Sequence, residues 1–343
     1  MLAKQGGRLS PEFSLPQPFA LSSCSKDSSV ERHPAVSPTT SVIGVLLMAH
    51  GSPDRLDDMA AYLQHVRGGR PTPPALVDDI RERYRLIGGR SPLLDLTRAQ
   101  AQALAARLTA NGAEVRVYVG MRHWHPFIQE TVQHMVADGV RRVVAVSMAP
   151  QYSRLSVGAY QRALEAAQAE LGDSLNVTYV ASWHDHPLLL QAFAERVREA
   201  LALLSEEVQA QVRVIFTAHS LPTHILTEGD PYPREVERTA AGVAKLLGLT
   251  AWELAYQSQG ATADPWLGPT LDEMFDRHAA RGQRQLLLAP IGFVCDHVEI
   301  LYDIDILAQQ VAQTKGLCLR RIASLNTSPT FIEALASVVQ GQW

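Results

Sequence analysis

Two histidines stand at the ends of apolar runs. Leu46-Leu-Met48 continues into Ala49-His50-Gly51-Ser52-Pro53, and Ile215-Phe-Thr-Ala218 continues into His219-Ser220-Leu221-Pro222. Imidazole is the side chain best suited to take up a proton or bind a metal near neutral pH. A lone histidine at a strand end is more often only a hydrogen-bonding group, so His219 needs a partner. The segment Asp296-His297-Val-Glu299-Ile-Leu-Tyr302-Asp303-Ile-Asp305 supplies one. A helix beginning near Asp296 puts Asp296, Glu299 and Asp303 at i, i+3 and i+7, a carboxylate ridge along one face. Acidic residues also cap helix starts, but Ile300, Leu301 and Ile304 crowd the adjoining positions and imply a helix buried on much of its circumference. Buried carboxylates near a histidine suit proton relay or the passage of a cation.

Two further histidine pairs, His123 with His125 and His184 with His186, have the i, i+2 spacing that points side chains the same way on an extended segment. Neither has a companion metal ligand at recognisable spacing. Between Arg67 and Arg90 lie Arg67, Arg70, Arg81, Arg83, Arg85 and Arg90 against Asp78, Asp79 and Glu82. A solvated helix of mixed charge accounts for Arg81 to Arg85. The loops Arg67-Gly-Gly-Arg70-Pro and Gly88-Gly89-Arg90-Ser91-Pro92 set guanidinium groups beside flexible glycines, a clamp for an anionic ligand.

The elements that must position these residues alternate in type. Apolar, β-rich runs occur at Ser41–Met48, Glu114–Val119, Arg142–Met148, Asn176–Ala181, Arg213–Thr217, Trp252–Tyr256 and Gln285–Ile291, with a short one at Leu319–Ala323. Ala- and Leu-rich segments at helical spacing lie between them, among them Leu96–Ala110, Tyr160–Leu171, Leu188–Leu204 and Arg234–Leu247. Such alternation implies parallel sheets covered on both faces. The two Ala-His-small-x-Pro matches, with Ser147-Met-Ala-Pro150 echoed by Leu287-Leu-Ala-Pro290 in the same order, suggest duplicated α/β halves facing one another across a cleft. Ligands of open α/β sheets bind beyond the carboxyl ends of the strands, so His50 and His219 should both look into that cleft.

Bulk properties narrow the class. At 343 residues the chain suggests two compact units. Its 46% hydrophobic against 19% charged residues argue against wholesale disorder, and a net charge of −4 counts against a nucleic-acid binder that relies on a basic surface. Of 31 Lys plus Arg only 4 are Lys, a bias that reads mainly as codon usage but supplies forked donors for carboxylates. Cys24, Cys295 and Cys318 are too few and scattered for a disulfide framework or a zinc ribbon, so a reducing cytosol is expected. No apolar run is long enough to span a membrane. Residues 1–40, rich in Ser, Pro and Gly, read as a disordered extension or an over-called start.

The ordered motifs resemble those of the ferrochelatases, which insert ferrous iron into a porphyrin. The matching stretches are Met48-Ala-His-Gly-Ser-Pro53, Arg83-Tyr84 with Gly88-Gly-x-Ser91-Pro92, Val119-Gly-Met-Arg122 with His125-Pro126, and Ala149-Pro-Gln-Tyr-Ser153. They continue through Ala218-His-Ser-Leu-Pro222, Gly229-Asp-Pro-Tyr-Pro233, Gln257-Ser258 with Pro265-Trp-Leu-Gly268, and Asp296-His-x-Glu299-x-Leu-Tyr-Asp303. The resemblance covers Val42 to Val338. It implies two similar Rossmann-like domains with parallel sheets around a porphyrin-binding cleft, at 41–158 and 159–325. A C-terminal helix in 326–343 would pack back on the first half. By motif, the family's catalytic His and Glu, which also meet the metal, fall on His219 and Glu299. Porphyrin and Fe(II) are then the substrates.

Members acting on protoporphyrin IX at a membrane carry an apolar lip before the Gly-Gly-x-Ser-Pro loop. Here the corresponding stretch, Tyr62 to Pro74, is mostly polar, as in the soluble enzymes that metallate coproporphyrin III. Arg67, Arg83, Tyr84, Ser91 and Tyr160 match that subgroup's ligand-contacting residues. The subgroup's Tyr in the Met-Ala-x-Gly motif, able to ligate iron opposite the His, is replaced by His50, whose imidazole can also bind iron. The resemblance implies a cytoplasmic monomer without an iron–sulfur centre, with an iron chaperone or a downstream haem-synthesis enzyme as conceivable partners. The alternatives are a protoporphyrin IX ferrochelatase, a sirohydrochlorin cobalt or iron chelatase, and a non-catalytic porphyrin carrier.

Overall fold

Each apolar run folds as a strand. The computed structural model describes residues 42–110, 112, 114–172, 174–260 and 264–343; the expected N-terminal extension and Cys24 lie outside them. In the first half the strands are β1 (Ile43–Ala49), β2 (Val115–Met121), β3 (Arg142–Ser147) and β4 (Asn176–Val180). In the second they are β5 (Arg213–His219), β6 (Glu253–Gln257), β7 (Gln285–Pro290) and β8 (Cys318–Arg321). All pairings are parallel, in the orders β2-β1-β3-β4 and β6-β5-β7-β8. The two sheets therefore have one topology, in which β1 corresponds to β5 and β3 to β7. Those are the strands that carry the repeated Ala-His and Ala-Pro motifs, so the weak internal repeat marks equivalent places in two architecturally equivalent halves.

Central parallel strands are buried on both faces and need apolar residues at successive positions. In β1, Val45 and Leu47 face a core that includes Leu104, Leu108 and Phe193, while Leu46 and Met48 face Ile128, Val132 and Met135. In β5, Val214, Phe216 and Ala218 join the same core as Val45 and Leu47, and Ile215 turns to Met274, Phe275, Ile300 and Ile304. One continuous core thus lies between the sheets, built on the helices Leu93–Ala110, Pro187–Ala202, Tyr232–Leu247 and Pro329–Gln340. Each fully buried Leu, Val or Phe in it contributes roughly 1.5–3 kcal/mol. Local signals set the helix limits. Pro187 and Pro329 occupy first turns where no N–H is missed, and Gly248, at φ 67°, ends Tyr232–Leu247 in the left-handed region.

The division expected between residues 158 and 159 falls inside the first half. Helix Val157–Glu170 is the crossover that returns the chain to β4, and β4 pairs with β3, so the chain passes to the second sheet only after Val180. Helix Pro329–Gln340 packs against both Leu93–Ala110 and Pro187–Ala202. No helix among the described residues is long and apolar enough to cross a membrane.

Candidate active site

The carboxyl ends of the two sheets border a common cavity of ≈ 310 Å³, to which β1 contributes Ala49 and β5 contributes His219. Close packing of turns builds its walls. Gly51, at φ 90°, turns the chain out of β1; a Cβ there would lie 2.9 Å from the Trp124 nitrogen. The amides of Arg122 and His123 donate to the carbonyls of Ala49 and His50, both at 2.9 Å. On the other side, Tyr232 Oη donates to the His219 carbonyl at 2.8 Å. The Gly292 amide donates to Thr217 O at 3.2 Å, which ties the loop after β7 to the end of β5.

That loop brings Glu299 to His219, with 3.5 Å between His219 Nε2 and Glu299 Oε1. His219 Nδ1 contacts the Ser220 carbonyl. A carbonyl only accepts, so Nδ1 carries the hydrogen and Nε2 is the atom left to take a proton or a metal. Burial disfavours the charged imidazole, but the facing Glu299 carboxylate, with help from the Ser220 carbonyl and Asp303, raises its pKa above the usual 6.5. Burial likewise opposes the charged carboxylate of Glu299, yet His219 and His297 hold it well below the usual range. His297 Nε2 lies 3.4 Å from Glu299 Oε2, and its Nδ1 meets the Cys295 carbonyl at 3.0 Å. Farther along, Asp303 accepts a hydrogen bond from Ser258 Oγ. Burial pushes its carboxyl pKa up despite that bond.

On the wall supplied by the first half, His50 is open to the cavity. Enclosure by the cleft still pushes its pKa down to about 4, against the pull of Glu299. Its ring lies 4.6 Å from that of His123, which burial and the nearby His50 and Arg122 lower to about 3. Tyr84 Oη and Ser52 Oγ are 2.9 Å apart, and burial pushes the Tyr84 phenol up to about 12. Ser91 Oγ accepts from the Leu93 amide at 3.3 Å. Burial also raises the Tyr160 phenol. The Arg122 guanidinium stands 6.0 Å from the Tyr160 ring.

His219, Glu299, His50, Tyr84, Ser91 and Tyr160 thus all line one cavity. Arg67 and Arg83 do not. They stand at the ends of the helices Met59–Val66 and Pro74–Leu86, where the Nε of each is shielded from water without a partner among the described residues. Arg83 also holds Asp79 at 2.7 Å and lies over the Tyr302 ring. Arg81 and Arg85 pair with Asp78 and Glu82, as a mixed-charge surface helix should. Arg90 is taken by Asp95 at 2.6 Å, and Arg70 by the Arg67 carbonyl.

The expected three-carboxylate ridge does not form. The helix begins at Val298, spans only Val298–Leu301, and gives way to a π-helix at Asp303–Ala308, so Asp296 precedes it and points elsewhere. The histidine pairs diverge because they sit on turns rather than strands. His123 is buried while His125 pairs with Glu130 at the surface, and His184 meets Ser182 while His186 meets Ser337. Among the described residues no three His, Cys, Asp or Glu side chains gather to hold a metal by themselves. Sequence reasoning missed Arg122, Tyr62, Tyr232 and His297 as cavity residues. Arg122 was within reach, inside the Val-Gly-Met-Arg motif, and His297 lies in the Glu299 segment itself.

Known proteins agree with this architecture. The family model described as Ferrochelatase matches residues 42–343. A ferrochelatase of Herpetosiphon aurantiacus is 44% identical over 299 residues, covering 87% of this chain and 98% of its own. A coproporphyrin III ferrochelatase of Geobacillus thermodenitrificans is 41% identical over 300 residues, covering 87% and 95%. Among solved structures, the sirohydrochlorin chelatase SirB of Bacillus subtilis subspecies spizizenii shares the fold at 10% identity, with a TM-score of 0.51 over 88% of this chain and 95% of its own. Its likeness is one of architecture. The sequence similarity, which extends over nearly all the described residues, places this chain in the ferrochelatase family of porphyrin metal chelatases.

Proposed function

We propose that this chain inserts Fe(II) into coproporphyrin III, in the cytoplasm, with His219 and Glu299 as the reacting pair. The observation that carries the reading is the 3.5 Å approach of His219 Nε2 to Glu299 Oε1 on the wall of a cavity open at the strand ends. A carrier that only held a porphyrin would gain nothing from placing a half-buried carboxylate there. Metal insertion must strip water from Fe(II), bend the macrocycle and remove two pyrrole protons. With Nδ1 committed to Ser220, Nε2 and the Glu299 carboxylate form a two-residue station at which a proton and a metal cation compete. Asp303, whose burial favours its protonated form, provides the next stop for protons. Among the described residues no third His, Cys, Asp or Glu gathers with His219 and Glu299 as a ready-made metal site. Tyr84, Ser91 and Tyr160 offer hydrogen bonds at the rim, and His50 offers an imidazole that is neutral near pH 7.

The choice of coproporphyrin rests on its four propionates, which Arg67 and Arg83, half-buried outside the cavity, would reach by swinging their guanidinium groups toward it, and on the polar stretch Tyr62 to Pro74. The test is anaerobic mixing of the protein with Fe(II) and, separately, coproporphyrin III, protoporphyrin IX and sirohydrochlorin, following metalloporphyrin absorbance. Coproporphyrin should be metallated fastest. Faster metallation of protoporphyrin refutes the substrate, and metallation of none refutes the enzyme.

A further inference from the structure

Glu299 sits on a poor support. A four-residue α-turn followed by a π-turn has little stability of its own. Ile300 and Ile304, both fully buried, fix how deep the segment lies. Its rotation, which decides whether the carboxylate meets His219, depends on polar contacts as well, among them the 3.3 Å bond from Gln257 Nε2 to the Glu299 carbonyl. The ends of the segment are held from outside. Arg321, the last residue of β8, makes a two-pronged bond to Asp305, Nε to Oδ1 at 2.6 Å and Nη2 to Oδ2 at 2.7 Å. The same Nη2 lies 3.2 Å from Asp296 Oδ1. Ser324 Oγ and Asn326 Nδ2 also donate to Asp296, at 2.7 and 2.9 Å. The Asp296 amide donates to Asn326 Oδ1 at 3.0 Å. Gln100, fully buried on helix Leu93–Ala110, ties this loop to the first half through the Asn326 carbonyl at 2.9 Å.

We propose that Arg321, outside the cavity, is a positioning residue for Glu299, because its planar fork joins Asp296 to Asp305 and so locks both ends of the segment that presents Glu299 to His219. The inference rests on reading His219 and Glu299 as the reacting pair. Arg321 is only 15% exposed and Asp296 22%, so the fork is not a loose surface bridge. A lysine carries the charge but not the geometry that spans two carboxylates.

The experiment compares R321A, R321K, E299Q and R321A/E299Q with wild type. R107A, which removes the bridge to Glu333 on helix Pro329–Gln340, is the control for a lost salt bridge away from the cavity. Turnover, coproporphyrin affinity and the ¹⁵N resonances of His219 are measured. R321A should lower kcat at least tenfold, since displacements near 1 Å cost on the order of 100-fold. Porphyrin affinity should change less than threefold. R321A should also shift the His219 resonances as E299Q does, and add nothing in the E299Q background. R321K should fall between, and it carries both readouts where R321A does not fold. Wild-type His219 resonances in R321A or R321K, or a kcat loss no greater than that of R107A, overturns the inference. Normal turnover by E299Q instead overturns the reading of the reacting pair, and the resonances then decide the role of Arg321 alone.

Discussion

Replacing Gly292 with alanine should separate the two halves of the reacting pair without touching either. A Cβ at Gly292 would lie 2.9 Å from both Cα and Cβ of Ala218 and 3.5 Å from the His219 nitrogen. Carbon atoms rest comfortably at about 3.5–4.0 Å, so the new methyl must gain roughly 0.5–1 Å. Ala218 belongs to β5 and cannot yield as a long side chain would. Either the end of β5 moves, with His219, or the loop after β7 moves, with Glu299. In both cases the 3.5 Å approach lengthens. Overpacking of this kind costs about 1–3 kcal/mol of stability, and a shift of this size near reacting groups lowers kcat by about ten- to a hundredfold. Porphyrin binding, made over the whole cavity, should weaken far less. Thermal unfolding, porphyrin fluorescence quenching and anaerobic metallation of the variant measure the three quantities. A G292A protein with lowered stability but wild-type kcat would refute the idea that this contact sets the geometry of the pair.

His219→Ala should abolish insertion and leave porphyrin binding measurable; near-normal turnover removes His219 from its role. Because the His219 pKa is raised and that of Glu299 depressed, the pair stabilises the fold most between about pH 4.5 and 6.5. The melting-temperature advantage of wild type over E299Q should therefore shrink as pH climbs through the His219 pKa, and again as it falls through that of Glu299; a pH-independent difference counts against the ion pair. Replacing His50 by Tyr should change the spectrum of bound product more than the rate, and an unchanged spectrum counts against axial ligation. The double variant R67A/R83A should weaken coproporphyrin binding about tenfold or more, at roughly 1.5–3 kcal/mol for each charged hydrogen bond less solvent screening, with little effect on protoporphyrin. Equal losses for both would sever these arginines from the extra propionates.

The strands and the equivalence of the halves were legible because β-rich apolar runs and the paired motifs at Ala49-His50 and Ala218-His219 are local and periodic; the order of the strands in each sheet was not. That His219 and Glu299 would line the cavity was legible for a different reason: strand ends and the acidic segment after β7 lie at the carboxyl edge of a parallel sheet, where its cleft opens. The carboxylate ridge was misread because i, i+3, i+7 presumes an unbroken α-helix, whereas this segment starts two residues later and widens at Asp303. Asp296 turns instead to Arg321, 25 residues away on β8, a partner that no local spacing reports. The boundary near residue 158 failed similarly. Nothing in β4 itself says which sheet it joins; its pairing with β3 does.

The two halves carry an imidazole at the same topological address, in unlike surroundings. Enclosure by the cleft pushes the pKa of His50 down, while the facing Glu299 carboxylate raises that of His219. The likeness of the two halves thus ends in a polarised chamber, with the His219–Glu299 pair on one wall and the imidazole of His50 on the other.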